Sequence, residues 1–202
     1  VMMELTENMI GEIAKKVLGR TRIVYQGNEM ELSPPWTRMT MEESVNKIAG
    51  IDVPNDEQKL EKLLEKHQIQ IKHRLIRPNV INALFEELVQ PKLIRPTFIM
   101  DYPTDISPLT SGHRSKTGWV ERFEGFIYGM EVANAYSELN DPFEQRDRFL
   151  QQVEEKKRGD EEAHPMDEDF VAALMYGLPP TGGLGIGVDR VVMVLTDSPS
   201  IK

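Results

Sequence analysis

Apolar residues recur along the first 18 positions at the spacing of one helical face. Leu5, Met9, Ile13 and Val17 fall on a single stripe between Met2 and Leu18, and Gly19 follows as a stop. Two β-prone stretches come next, Thr21 to Gln26 and Glu29 to Leu32, flanking Gly27-Asn28, whose turn chemistry predicts a hairpin. Ser33-Pro34-Pro35-Trp36 breaks the pattern. Thr40 and Glu43 then have capping-box spacing ahead of a short helix closed by Gly50. Asn55 is placed to cap a charged helix through His67, and Pro78 to open another that ends before Pro91. The stretch from about 41 to 92 therefore reads as helices only, inserted between sheet segments.

After Pro96 the pattern changes period. Thr97 to Tyr102 is rich in β-formers, and the polar loop Thr110 to Gly118 precedes two dense β-like runs, Val120 to Tyr128 and Met130 to Leu139, separated by Gly129. These runs are expected to pair as antiparallel strands. Asp141-Pro142 is a cap followed by a first-turn proline, predicting a helix through Lys157 that stops near Gly159. A second helix is predicted from about Asp167 to Tyr176, with Gly177 beyond its end. The expected class is α+β, an antiparallel sheet flanked by helices with a small helical insertion.

Composition narrows the chemistry. The 202 residues are enough for one domain with a substantial core, and 40% of them are hydrophobic. No apolar run of membrane-spanning length and no charged-then-apolar leader is visible, so a cytoplasmic protein is expected. Cysteine is absent, which removes disulfides, thiolate metal sites and cysteine nucleophiles together, and leaves carboxylates as the donors for any metal. A formal charge of −9 repels a phosphate backbone, so these residues alone should bind nucleic acid poorly.

The most specific run is Thr181-Gly182-Gly183-Leu184-Gly185-Ile186-Gly187-Val188-Asp189-Arg190, leading into the apolar Val191 to Leu195. On a strand the alternation puts Gly183, Gly185 and Gly187 on one face, which admits a flat ligand against the backbone. Arg190, opening the following helix, is placed to reach a phosphate with its planar fork. There is no lysine for a P-loop and no acidic residue at dinucleotide-fold distance downstream. The plain alternative is a glycine-rich strand packed tightly under a helix.

Glu124, Glu131 and Glu138 lie seven residues apart, which suits either the acidic stripe of one helix or positions on paired strands. Gly125, Gly129, Asn134 and the surrounding aromatic and β-branched residues favour strands. Two carboxylates facing a nucleotide cleft suit Mg²⁺. Asn134, Tyr136 and Glu138 share strand parity while Glu131 has the opposite one, so a common pocket requires a bulge or kink between Glu131 and Asn134.

The glycine run with its Asp-Arg resembles motif 3 of the class II aminoacyl-tRNA synthetases. Arg122-Phe123-Glu124 and Ala133-Asn134-Ala135-Tyr136-Ser137-Glu138-Leu139-Asn140-Asp141 are similar to the signature of the lysine-specific branch, and the likeness extends over nearly the whole chain. The resemblance implies a partial catalytic domain over 1–202, an ATP-dependent ligase that forms lysyl-adenylate and transfers lysine to tRNA(Lys). It implies ATP contacts at Glu124, Glu131, Gly185, Gly187 and Arg190, with Arg190 on the γ-phosphate as the catalytic arginine. It implies Glu124 and Glu131 as Mg²⁺ ligands, Asn134 on the lysine carboxylate, Tyr136 along its methylenes and Glu138 on its ammonium. Motifs 1 and 2 are not among these residues, so the resemblance implies a homodimer made through segments elsewhere and little activity from the 202 residues alone. Two other readings stay open: a lysine-type ligase acting on a protein such as elongation factor P, and a non-catalytic interaction module descended from a synthetase, with the acidic helical stretch as its contact surface.

Overall fold

The computed structural model describes residues 1–71, 73–157 and 163–202. Helix α1 (Met2–Leu18) ends at Gly19, whose left-handed backbone closes it. Its apolar stripe identifies the helix but is not the face that packs. Ile10 and Ala14 are buried, whereas Leu5 is 51% and Val17 68% exposed. Two features select the buried face. Gly11 allows the helix onto the backbone of Leu32 and Ser33. Glu7, itself buried, accepts hydrogen bonds from the Trp36 amide (2.7 Å) and from Arg38 Nη2 (2.7 Å), which ties the helix to the segment entering the sheet.

Strands β1 (Arg22–Tyr25) and β2 (Asn28–Glu31) form the predicted hairpin, but the turn sits one residue early, at Gln26-Gly27, and Asn28 belongs to the strand. Both turn residues have positive φ, as a tight hairpin turn of this kind requires. Gln26 is not a usual choice there. Asp197, just past the last helix, accepts from its amide at 2.7 Å and from its side chain, so a contact far along the chain holds the turn.

The main sheet has five strands in the order β3 (Thr37–Thr40), β4 (Thr97–Pro103), β5 (Trp119–Ile127), β6 (Met130–Ser137), β7 (Gly182–Ile186). All neighbours are antiparallel except β3 and β4, which are parallel. The helical stretch lies between those two strands, because a parallel pair needs a crossover. It opens with α2 (Met41–Ser44), whose Thr40 and Glu43 form the expected capping box, and continues through a π-type turn to Gly50. Helix α3 (Glu57–His67) is capped by Asp56 in place of Asn55, the carboxylate accepting from the Lys59 amide at 3.1 Å. Helix α4 (Arg77–Leu84) has Pro78 in its first turn and runs into wider and tighter turns that carry the chain past Pro91.

Two hydrophobic clusters sandwich this sheet. On the front face Ile99, Val120 and Phe126 pack against Met41, Val45, Val80, Leu84 and Phe85 of the helical stretch. On the back face Phe98, Phe123, Val132 and Ala135 pack against α1, the hairpin, and α7 (Val188–Thr196). The helical stretch packs its apolar side on the β3–β4–β5 end of that face. Helix α5 (Pro142–Lys157) and α6 (Glu168–Met175, capped by Asp167) complete the chain, and the predicted stop of α5 near Gly159 lies outside the described residues. Among the described residues no helix is long and apolar enough to cross a membrane.

The face of α5 toward the loop of residues 105–110 is polar. Gln145 donates to the Pro108 carbonyl (3.0 Å), Gln152 to that of Asp105 (2.9 Å), and Arg148 to those of Ser107 and Thr110 while also binding the Glu144 carboxylate. Arg148 is 7% exposed, so these bonds replace water at a buried cation. Replacing Arg148 with methionine should keep the stem's packing and orphan the loop carbonyls, lowering unfolding stability by about 2–3 kcal/mol. Urea unfolding measures this, and an unchanged midpoint would mean that water takes over these contacts at no cost.

Candidate active site

The central strands turn one face to the open half of the sheet. On β5 that face carries Arg122 and Glu124, each directly opposite a residue of β6: Tyr136 faces Arg122 and Asn134 faces Glu124. β7 continues the row, with Gly185 opposite Asn134 and Gly183 opposite Tyr136. The pairing thus lines up two strands of functional side chains beside a strand that presents none.

The register of β5 and β6 breaks once. Gly125 pairs with Ala133 but Phe126 pairs with Glu131, leaving Val132 as the extra residue. Val132 is fully buried in the back cluster. Glu131 is thereby on the front, where its charge acts on Glu124 and Tyr102, and where Arg190 reaches it. This is the irregularity that a shared pocket requires of the sequence.

Glu124 is 8% exposed, and burial pushes its carboxyl above the ordinary carboxylate range. Arg122, bonded to it through Nη2, opposes that shift and the nearby Glu131 charge reinforces it. Tyr102 lies buried against the pair, with the Arg122 guanidinium 4.6 Å from its ring centre. Burial and the Glu124 charge raise the phenol well above its usual pKa. Arg190 is half-exposed at the start of α7, its Nη1 donating to the Glu131 carbonyl at 2.6 Å and standing 3.7 Å from the carboxylate.

Glu138 follows β6, with its amide donating to Thr181 (2.9 Å) and its carbonyl accepting from Ser111 Oγ (2.7 Å). Desolvation raises the pKa of its carboxyl, and that of the Tyr136 phenol, which also feels the Glu138 charge. Gly183 seats the Glu138 side chain: a Cβ there would lie 2.2 Å from Glu138 Oε1. Gly185 is different, since a Cβ would meet only the Asn134 carbonyl at 3.7 Å, leaving open space above the backbone. Gly187 departs from the expected alternation. It lies past the strand end as the residue before α7, with Arg190 folded back over it.

Glu124, Glu131, Asn134, Tyr136, Glu138, Gly185 and Arg190 are thus brought to one side of the sheet, and Gly187 to its margin. Arg122, Ser107 and Tyr102 carry no role in the sequence reading. For Arg122 the signal was its parity with Glu124, two residues apart on one strand. Ser107 and Tyr102 lie on other segments and carried no such mark. Among the described residues no ready-made group of three or more metal-binding side chains exists. Two carboxylates are nevertheless the protein share that Mg²⁺ ordinarily takes when phosphates supply further oxygens.

Comparison with known proteins identifies the family. The model of the family described as "tRNA synthetases class II (D, K and N)" matches residues 1–202. Lysine--tRNA ligase of Clostridium acetobutylicum is 53% identical over 207 residues, covering 100% of this chain and 40% of that protein. Lysine--tRNA ligase of Thermoanaerobacter pseudethanolicus is 52% identical over 204 residues, covering 100% and 41%. The chain therefore spans about two-fifths of the length of these curated relatives. With the whole chain matched by the family model and this alternating glycine strand set beside paired carboxylates, the chain belongs to the class II tRNA synthetases of the aspartate, lysine and asparagine group.

Proposed function

We propose that the chain is the part of a lysine--tRNA ligase catalytic domain that selects lysine and holds the metal and the outer phosphate of ATP. The observation that carries this is the shared face of β5, β6 and β7, where Glu138 offers a half-buried carboxylate with no ion pair among the described residues at one end and Glu124, Glu131 and Arg190 gather charge at the other. Glu138 suits an ammonium, and a site built on that pairing rejects uncharged side chains. The side-chain-free surface over Gly185 suits a flat base or ribose.

In this reading the lysine carboxylate oxygen attacks the α-phosphorus of ATP, forming the mixed anhydride while pyrophosphate leaves. Glu124 and Glu131 would hold Mg²⁺, which would supply positive charge against the phosphate oxygens. Arg190, freed from the Glu131 carbonyl, turns its fork to the γ-phosphate. Asn134 orients the attacking carboxylate and Tyr136 lies along the methylenes, so positioning and charge supply the rate without a covalent protein intermediate. A ribose hydroxyl at the tRNA end then displaces AMP from the lysyl group. The acidic balance of the chain, −9, leaves the main grip on tRNA to other parts of the enzyme. In this reading the enzyme works in the cytoplasm, where the bulk of protein synthesis takes place.

The test is exchange of labelled pyrophosphate into ATP by the full-length product of the gene, assayed with each amino acid in turn. Lysine alone should support exchange, and tRNA rather than a protein should accept the product. Exchange driven equally by aspartate or asparagine, or lysine transfer to protein only, overturns this reading.

A further inference from the structure

We propose that Arg122 is a positioning residue that fixes which face Asn134 shows to the substrate. This rests on the lysine-activation reading and adds to it a residue that itself contacts neither lysine nor ATP there.

The guanidinium is used on every edge. Nε donates to Asn134 Oδ1 (3.1 Å), Nη1 to Ser107 Oγ (3.0 Å) and the Ile106 carbonyl (3.3 Å), and Nη2 to Glu124 Oε1. Its flat face lies over Tyr102 at 4.6 Å, and the side chain is 17% exposed. A guanidinium has donors only, so the atom of Asn134 that meets it must be the carbonyl oxygen. The amide nitrogen is then turned away from Arg122, and it makes no hydrogen bond among the described residues. An amide held this way offers two N–H donors to a ligand, which suits a carboxylate and repels an ammonium. Lysine carries one carboxylate and two ammonium groups, so an amide turned this way admits the carboxylate at its own position and turns the ε-ammonium toward the opposite end of the cleft.

The arginine is itself braced. Ser107 and Ile106 belong to the loop that α5 straps down through Arg148 on the Ser107 carbonyl and Gln145 on that of Pro108. The fork therefore meets a fixed loop on one side and fixed strands on the other, and this geometry is not available to a single ammonium.

The experiment compares Arg122→Lys and Ser107→Ala with the unaltered full-length enzyme in lysine-dependent exchange. Arg122→Lys keeps a cation beside Glu124 but loses the fork. The lysine KM should rise about 10- to 100-fold while kcat and the Mg²⁺ dependence change by no more than about threefold. Ser107→Ala, which removes one brace from a side chain that still folds in place, should raise the lysine KM about threefold to fivefold. Both variants should also lose part of the preference for lysine over its carboxamide. A lysine KM within twofold of the unaltered enzyme in both variants overturns the proposal, as does a fall in kcat alone, which is the mark of a merely structural role. If Arg122→Lys does not fold, Ser107→Ala decides by the same criterion. Absence of lysine-dependent exchange from the unaltered enzyme is a separate result that overturns the lysine reading, and this proposal with it.

Discussion

Glu138→Gln in the full-length enzyme should raise the lysine KM by about 10³-fold or more, leaving the ATP KM within a few-fold. The carboxylate is half-buried, with its backbone bonded on both sides and its side chain carrying no hydrogen bond or ion pair among the described residues. It is thus an anion waiting for a cation, and glutamine of the same shape cannot neutralise an ammonium. The stability effect has the opposite sign. A carboxyl whose folded pKa is raised by desolvation binds protons more readily folded than unfolded, so it favours the fold at low pH and disfavours it as pH rises through the raised value. At neutral pH the glutamine chain should unfold at slightly higher urea than the wild type, with the gap closing toward acid. Lysine affinity should weaken as pH falls into the raised titration range in the wild type, and show no such step in Glu138→Gln. A lysine KM unaffected by the substitution would falsify the assignment of the ammonium site.

Gly183→Ala is the second large effect. The added Cβ would stand 2.2 Å from Oε1 and 3.2 Å from Cδ of Glu138, and no backbone atom is among its near neighbours. What yields is therefore the carboxylate, whose flexible end can swing out of the cleft at little cost to the fold. The lysine KM should rise by about 10- to 100-fold, with the unfolding midpoint nearly unchanged. Gly125→Ala gives the contrast. Its Cβ would press on the Phe98 ring at 3.1 Å and on Ala133 Cβ at 3.3 Å inside the back cluster, so that substitution should cost stability before it alters any substrate constant. Measuring both constants and the urea midpoint for the two variants separates the roles. A Gly183→Ala enzyme with wild-type lysine KM would show that Glu138 acts from another position.

Much of the scaffold was legible because its signals are local. Thr40 with Glu43, Asp167, the glycine between β5 and β6, and the change of period after Pro96 each specify a cap, a turn or a strand within a few residues. What was misread depends on distant contacts. Gln26 takes a turn position because Asp197 bonds it there, and α1 buries Ile10 and Ala14 because Glu7 and Gly11 meet the Leu32 to Arg38 segment. Asp56 rather than Asn55 caps α3, a choice between adjacent capping residues that composition cannot make. In the site, parity along β6 exposed the need for a bulge, whereas the fork of Arg122 emerges only when β4, β5, β6 and the 106–107 loop are assembled.

The extra residue in β6 makes chain length, as much as residue identity, part of the site. With Val132 filling the back cluster and its carbonyl accepting from the Gly187 amide at 3.0 Å, the segment between Gly129 and Ala133 has no slack. A relative one residue shorter here must either point its glutamate into the apolar layer or slide every residue up to the turn, and one residue longer must break a second ladder rung. Among functional members of the lineage, insertions and deletions should therefore collect in loops and stop at this strand. A gap placed within it would mark either a misaligned sequence or a protein that has given up the carboxylate pair on this face.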